Sequence, residues 1–593
     1  MERERRREAL AKRRRRKVQR IKRIIFGVIA AGLVAGGIAI ISNGMFWIDK
    51  IAMSKQKEDL KEYYGIKTEE QLAVIIDNKV IGTEAAGMIW DGEPYVEYSV
   101  VRDYLNSRVY VDMNENLLLY TLPTGTISAR VGSKEYSLQK ETIASEYAFL
   151  KMEGKTAYVA LPFVKQYTNM EYKVFQDKGI ARVVIDHYEG DVEIATIKRN
   201  VFIRTDADRK ATTLVEEKKR SQVRVVEKRD NWVQVRTEDG FIGYVKSRYL
   251  KDIKKAKIER PFTEVEAKNI SKDYTINMAW HLVTNSDANN NIFEMIADEK
   301  GLTTISPTWF TIKDTSGNIS SLASQRCVDY VHKMKKEVWA LVKDFDGGID
   351  SEEELHELLS HSTARENLIN QLMAEVVKYD IDGINVDFEQ VSQKSGEHFL
   401  QFVRELSVRC RQNEVVLSID NYVPSTRNIH YNLEEQVAYA DYIVIMSYDE
   451  YYAGSEESGP VASTAFVETA IVNALTSVPA ERLINGVPLY TRLWSEKEKA
   501  DGSIDVSSIA YGMDEAQMKI AQAGAEITVD EATGHNYAQW KEGNVIYKIW
   551  LEDETALESK LKLMKDYKLA GLSLWRLGFE SQEAWEIILK YVN

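Results

Sequence analysis

Two cysteines, nine prolines and eight histidines are few for 593 residues, and each scarcity excludes something. One pair of thiols cannot staple a chain of this length into a disulfide framework. Cys327 and Cys410 both fall in apolar, helix-like stretches where a small hydrophobe would serve, so both are expected to be buried free thiols. Nine prolines and 32 glycines exclude collagen-like and low-complexity chains, and 44% hydrophobic with 28% charged residues is the composition of folded protein with a large core. At roughly 100–200 residues per domain, several domains are needed. Basic charge is scarce beyond the N-terminus: residues 1–23 hold thirteen Arg/Lys against Glu2, Glu4 and Glu8, so of the total of −13 the remaining 570 residues carry −23. An acidic body lacks the cationic face that phosphate neutralisation requires, which argues against a nucleic-acid partner. No phosphate-cradling glycine loop and no convincing Ser or Cys triad is found. His356 and His361 stand five apart, about 140° round a helix, and do not form a zinc-protease pair. No metal and no cofactor are expected.

Long hydrophobic runs are equally scarce, with one exception. Residues 24–41 (IIFGVIAAGLVAGGIAII) contain no charged or strongly polar group, and Met45–Ile48 extend them. The run is long enough to span a bilayer. The basic cluster before it places the N-terminus in the cytoplasm, so a single-pass anchor over 24–48 is expected, with a cytoplasmic tail over 1–23 and everything later outside a bacterial cell membrane. A cleaved signal peptide fits less well, because the run exceeds a usual apolar h-region and no clear A-x-A site follows.

Residues 51–70 are charged and loosely helical, as in a juxtamembrane spacer. An internal repeat follows: Tyr95, Val96, Val100, Val101, Arg102, Tyr104 and Asn106 recur sixty-three positions later as Tyr158, Val159, Phe163, Val164, Lys165, Tyr167 and Asn169. Two units of one β-rich design are expected over 51–195. This stretch resembles the copper-amine-oxidase N-terminal-like stalk of exported bacterial proteins, which implies a spacer. His187 is its only histidine, so no copper site is implied. Over 199–252, short alternating segments end in Asn231–Trp232–Val233–Gln234–Val235 and Asp239–Gly240–Phe241–Ile242–Gly243–Tyr244–Val245. The W-x-x-V…D-G-x-x-G-Y-V pattern resembles a bacterial SH3-like barrel, which implies either contact with cell-wall peptide or a packed spacer.

From 268 to 593, apolar β-runs alternate with amphipathic helical stretches. Eight candidate strands cover 276–283, 303–311, 337–342, 383–389, 415–420, 442–447, 483–490 and 571–577, the count for a closed (β/α)8 TIM barrel. The last gap is too long for one βα connection and implies a small α+β insertion at about 495–550. The whole is expected to be multidomain: one transmembrane helix, a β-rich repeat, an SH3-like β-barrel and the (β/α)8 barrel.

The fourth strand reads Asp382–Gly383–Ile384–Asn385–Val386–Asp387–Phe388–Glu389, and alternation turns Asn385, Asp387 and Glu389 to one face at the C-terminal end. Barrel enzymes keep their active sites there, and carboxylates crowded in a partly dry mouth share protons, so a general acid is expected. The run resembles the D-x-x-D-x-D-x-E signature of family-18 glycoside hydrolases, the chitinase-like barrels. The resemblance implies that Glu389 protonates the glycosidic oxygen while Asp387 orients a 2-acetamido group whose carbonyl attacks the anomeric carbon, the known exception to two-carboxylate catalysis. Asn385 replaces the middle Asp of many members and by the resemblance would contact substrate; it can hydrogen-bond Asp387 but not share a carboxylic proton. Met446–Ser447–Tyr448–Asp449 resembles the family's M-x-Y-D, implying that Tyr448 and Asp449 hold the acetamido group beside Met446, and Trp575 resembles the aromatic floor beneath the sugar. Gly486–Val487–Pro488–Leu489–Tyr490 and Trp494 resemble the wall- and spore-associated N-acetylglucosaminidases, which implies that Tyr490 and Trp494 contact the sugar. The expected activity is hydrolysis of β-1,4 bonds in an N-acetylglucosamine-containing polymer, with peptidoglycan preferred because an anchor and an SH3-like module accompany the barrel. Chitin oligomers, other N-glycans and a non-hydrolytic lectin remain the alternatives.

Overall fold

The computed structural model describes Val28 and residues 53–592 apart from 83, 266 and 500. The expected tail over 1–23 and anchor over 24–48 thus lie, but for Val28, outside the described residues, and no described helix is long and apolar enough to cross a membrane.

Two compact units emerge, and their boundary cuts through the stretch expected to be one stalk. The first comprises residues 53–100 and 165–262; the second comprises 101–164 and 263–592. Strand alternation reveals that residues are β-structured, not which body their apolar face is buried against, and this is why 51–195 reads as a single domain in the sequence.

In the first unit, Gln71–Ile76 runs parallel to Ile180–Asp186, and seven strands between Gly190 and Ile258 form the SH3-like sheet. The two sheets bury one core, in which Ile75 and Val184 meet Ala195, Ile203, Val235 and Phe241. Gly240 sits there at φ +91°, and a Cβ on it would lie 2.5 Å from Val184 Cγ2, so the D-G of the pattern is fixed by both conformation and space. The expected spacer does not begin as a free tether. Gln56 accepts from Thr213 N (2.9 Å) and Glu58 N donates to Thr213 O (3.0 Å), so this segment lies along the strand Thr213–Glu217 and covers its edge.

The second unit is dominated by the barrel. Its strands are β1 (Ile276–His281), β2 (Thr304–Pro307), β3 (Glu337–Lys343), β4 (Gly383–Asp387), β5 (Val416–Tyr422), β6 (Tyr442–Met446), β7 (Leu483–Pro488) and β8 (Gly571–Trp575). Each pairs in parallel with the next, and β8 pairs with β1, closing the ring. Helices α1 (Gln325–Lys333), α2 (Glu352–Ser360), α3 (Ser362–Tyr379), α4 (Gly396–Gln412), α5 (Leu433–Tyr439) and α6 (Thr464–Ala474) lie among β2 to β7. In α4 the apolar positions Phe399, Phe402, Val403, Leu406 and Cys410 recur at helical spacing and are all buried. Cys327 and Cys410 are free and buried. β2 stops at Pro307, short of the expected end at 311, because proline has no N–H to continue a ladder; Phe310–Ile312 then pairs separately with β3. Between β7 and β8, a five-stranded sheet and the helix α7 (Met513–Ala523) form the α+β insertion, followed by α8 (Glu554–Asp566).

Residues 101–164 add an antiparallel meander over residues 110–144 that docks on the barrel helices. Asp112 Oδ2 accepts from Ser362 N (2.7 Å) and Ser362 Oγ (2.6 Å), so the first turn of α3, whose own N-cap His361 makes no side-chain capping bond, is capped by a carboxylate 250 residues earlier in the chain. The fully buried Arg365 of α3 lies 3.0 Å from Glu405 of α4 and donates to Tyr110 Oη (3.3 Å). Arg108 pairs with Glu435 on α5 at 3.0 Å.

Candidate active site

At the centre of the barrel, the aromatic side chains Trp280, Trp339 and Tyr442 are buried with Leu341 and Ile484. Gly383, which opens β4, touches this layer: a Cβ on it would come within 2.5 Å of Trp339 Cδ1, so only glycine lets β4 rise past the indole. Above it, Asn385, Asp387 and Glu389 follow in alternation.

Asn385 is fully buried and fully committed. Its Oδ1 accepts from Trp280 Nε1 (3.0 Å) and Ser306 Oγ (3.1 Å), and its Nδ2 donates to Ser418 Oγ (3.0 Å) and Asp420 Oδ1 (2.8 Å). The amide expected to contact substrate and Asp387 is thus a hub beneath the site, joining β1, β2, β4 and β5. Asp387 is buried with Oδ1 lacking any partner. Burial pushes its carboxyl well above the usual range, and the negative charges of Asp420, Glu389 and Asp344 push the same way against Lys343.

Glu389 stands just beyond β4, and its backbone is clamped. Asp344, at the end of β3, accepts from Glu389 N through Oδ1 and from Gln390 N through Oδ2, both at 2.9 Å, while Gln390 Nε2 donates back to Asp344 O. Burial outweighs those bonds and raises Asp344 to about 6. Glu389 Oε2 accepts from Tyr422 Oη at 2.7 Å. Burial raises the Glu389 carboxyl, the Tyr422 bond opposes this, and Asp449 and Asp346 reinforce it.

Tyr448 is half-buried, packs edge-on against Trp280 at 6.5 Å, and has its hydroxyl pKa raised first by burial and then by Asp387. Trp575, half-buried at the end of β8, packs against the same indole at 5.7 Å. Met446 ends β6 half-buried. Asp449, at φ +56°, accepts from Tyr490 Oη (2.6 Å) and Arg492 (3.1 Å), so Tyr490 spends its hydroxyl on fixing Asp449. Trp494 has no exposed surface and donates Nε1 to Gly459 O at 2.8 Å. It holds the loop after β6 and presents no ring for a sugar, contrary to the sequence expectation, because the strand Tyr490–Glu498 turns this residue under that loop.

Trp280, Ser306, Asp344, Ser418, Asp420 and Tyr422 of this arrangement escaped the sequence reading. Asp420 and Tyr422 carried a usable signal, since they stand two apart at the end of a strand, just as Asp387 and Glu389 do.

A model of glycosyl hydrolases family 18 matches residues 278–580, and one of the bacterial SH3 domain matches 198–252. The chain belongs to family 18 of the glycosyl hydrolases. This hydrolase is 27% identical over 293 residues to the uncharacterized glycosylase YvbX of Bacillus subtilis (strain 168), covering 47% of this chain and 81% of that protein. It is 28% identical over 242 residues to the putative sporulation-specific glycosylase YdhD of the same organism, covering 40% of this chain and 57% of that protein. The crystal structure of the Bacillus cereus spore cortex-lytic enzyme SleL aligns with a TM-score of 0.49 at 18% identity, over 57% of this chain and 77% of that one. A family-18 barrel, a bacterial SH3 domain and an acid-lined rim thus occur in one glycoside hydrolase with an N-acetylated glycan as its substrate class.

Proposed function

We propose that the chain is a membrane-anchored, outward-facing hydrolase that cleaves β-1,4 bonds next to N-acetylglucosamine in peptidoglycan by substrate-assisted catalysis with retention. The observation carrying this reading is the division of labour on β4: Glu389 reaches the rim, where its carboxyl meets Tyr422, while Asp387 stays buried below it with a free oxygen. Glu389 donates its proton to the glycosidic oxygen. The acetamido carbonyl of the substrate attacks the anomeric carbon, and Asp387 accepts from the acetamido N–H, with Tyr448 and Asp449 aligning the group and Trp575 under the ring. The resulting ring-closed intermediate is opened by water, whose proton returns to Glu389, so both inversions cancel and the β-anomer is released. Peptidoglycan is favoured over chitin by the bacterial SH3 match and by the sporulation-specific name of the relative YdhD. The basic residues ahead of the apolar run at 24–48 support an anchor with the barrel outside the cell.

The test is mass analysis of products from the purified full chain incubated with peptidoglycan sacculi and, separately, with chitin oligomers. Reducing-end N-acetylglucosamine fragments from sacculi support the proposal. Turnover of chitin alone moves the substrate to chitin, and binding without turnover of either replaces hydrolysis by a lectin role.

A further inference from the structure

β4 and β5 run parallel in register, Asn385 beside Ser418 and Val386 beside Ile419. Continuing that offset sets Asp387 beside Asp420 and Glu389 beside Tyr422, with all four side chains on one face of strands about 4.8 Å apart. The second pairing is realised in the 2.7 Å bond from Tyr422 to Glu389. The first pairing joins two buried carboxyls, Asp387 at 6% and Asp420 at 2% exposure. Asp420 Oδ1 is taken by the Asn385 amide at 2.8 Å. That leaves Asp420 Oδ2 and Asp387 Oδ1, both buried and both without a hydrogen-bond partner.

Two facing carboxyls with one orphan oxygen each are satisfied together by one proton, since the protonated member donates and the ionised member accepts. We infer that Asp420 is a positioning residue of the reaction, holding jointly with Asp387 the single proton that Asn385 has no carboxyl to share. The acidic partner absent from β4 is supplied from β5. This rests on the reading of Asp387 as the group that receives the acetamido N–H. When that N–H turns to Asp387, the carboxylate must accept, and the shared proton resides on Asp420 Oδ2; when the substrate leaves, it returns to Asp387 Oδ1. The pair carries one negative charge throughout and no proton leaves the site.

The surroundings enforce a single charge. Glu389 beyond β4, Asp344 after β3 and Tyr448 after β6 face the pair with negative or ionisable oxygens, and Lys343 at the end of β3 is the cation that opposes them. Burial, with the Glu389 charge and against the hydrogen bonds of Asn385 and Trp280, raises Asp420 to about 8. The pair therefore keeps its proton at neutral pH and loses it on the alkaline side.

The experiment compares the full chain with Asp420→Asn and with the transposed double variant Asn385→Asp/Asp420→Asn. It reads kcat and KM on a chitin oligomer from pH 5 to 9, and the carboxylic C=O infrared band over the same range. Asp420→Asn should lower kcat roughly tenfold or more with KM within about twofold, and move the alkaline limb of kcat. The double variant, which returns a carboxyl to the other side of the pair, should recover kcat to within roughly threefold of wild type. In wild type the infrared band should persist at pH 7 and be lost only on the alkaline side; in Asp420→Asn it should be lost at lower pH. Wild-type limbs and an unchanged band in Asp420→Asn, or a folded double variant no more active than the single one, would overturn the inference. The infrared comparison decides it even if the oligomer is not turned over, an outcome that would count only against the proposed reaction.

Discussion

An acid catalyst must hold a proton at the working pH and release it to the leaving oxygen, and the neighbours of Glu389 pull in both directions. Burial and the charges of Asp449 and Asp346 keep the proton on; the Tyr422 hydroxyl, which donates to Oε2, favours the ionised form. Glu389→Gln keeps the shape and loses the proton, so turnover should fall by about 10²–10⁴ while sugar binding persists in calorimetry. Tyr422→Phe removes a bond to the carboxylate, which raises the Glu389 pKa. The alkaline limb of kcat/KM should therefore move to higher pH, and a limb that moves down would show that Tyr422 instead supports the protonated form. Asp387 and Glu389 were legible in the sequence because strand alternation alone puts them on one face. Trp494 was misread for a related reason: a motif identifies the residue, but whether an indole meets solvent or a loop carbonyl depends on a chain segment thirty-five positions away.

At the scale of elements, the end of β3 acts as a clamp on the end of β4. Asp344 accepts both backbone N–H groups that follow Phe388, and replacing it by Ala would leave two partly buried donors unpaired, each at about 1 kcal/mol, the low end for a buried donor. Asp344→Ala should lower the melting temperature and lower kcat more than it raises KM, as read by calorimetry and steady-state kinetics on one preparation. All eight barrel strands were legible because each is a short apolar run between helical patterns, and the insertion was legible from the length of the last gap. The partnership of β4 with β5 was not, since register between parallel strands is set by closure of the ring and leaves no periodic trace in either strand. The stalk shows the same limit, for the repeat did produce two strand-then-helix pieces, Glu93–Glu97 with Tyr98–Tyr104 and Thr156–Ala160 with Leu161–Gln166, yet nothing local marks that residues 101–164 belong with the barrel.

For the whole molecule, the docked meander brings a pH-dependent term. His398 bonds Tyr110 Oη through Nδ1 at 2.7 Å, and burial, with His356 and Arg365 nearby, lowers its pKa to about 3. A histidine whose folded pKa lies below its unfolded value near 6.5 stabilises the fold above that value and loses the contribution as pH falls towards 3. The buried carboxyls of the site have the opposite sign, so the informative quantity is a difference. The gap in melting temperature between wild type and His398→Gln should narrow as pH is lowered from 7 to 4, and a gap that widens would contradict the assignment. Topology is tested separately: in wall-stripped cells, external protease should digest the barrel if the run at 24–48 anchors it outside, whereas protection would place it inside.

The chain passes between its two compact units three times, after residues 100, 164 and 262, and Asp112 caps a helix that begins at Ser362. A fragment starting at 263 would bare the first turn of α3, with the loss of a cap worth about 0.5–2 kcal/mol, and strip Tyr110 from the buried guanidinium of Arg365. In terms of descent, a single crossover ahead of the barrel would hand on a catalytic domain without its α3 cap and its Tyr110 contact, so an exchange that keeps both must carry residues 101–164 along with the barrel.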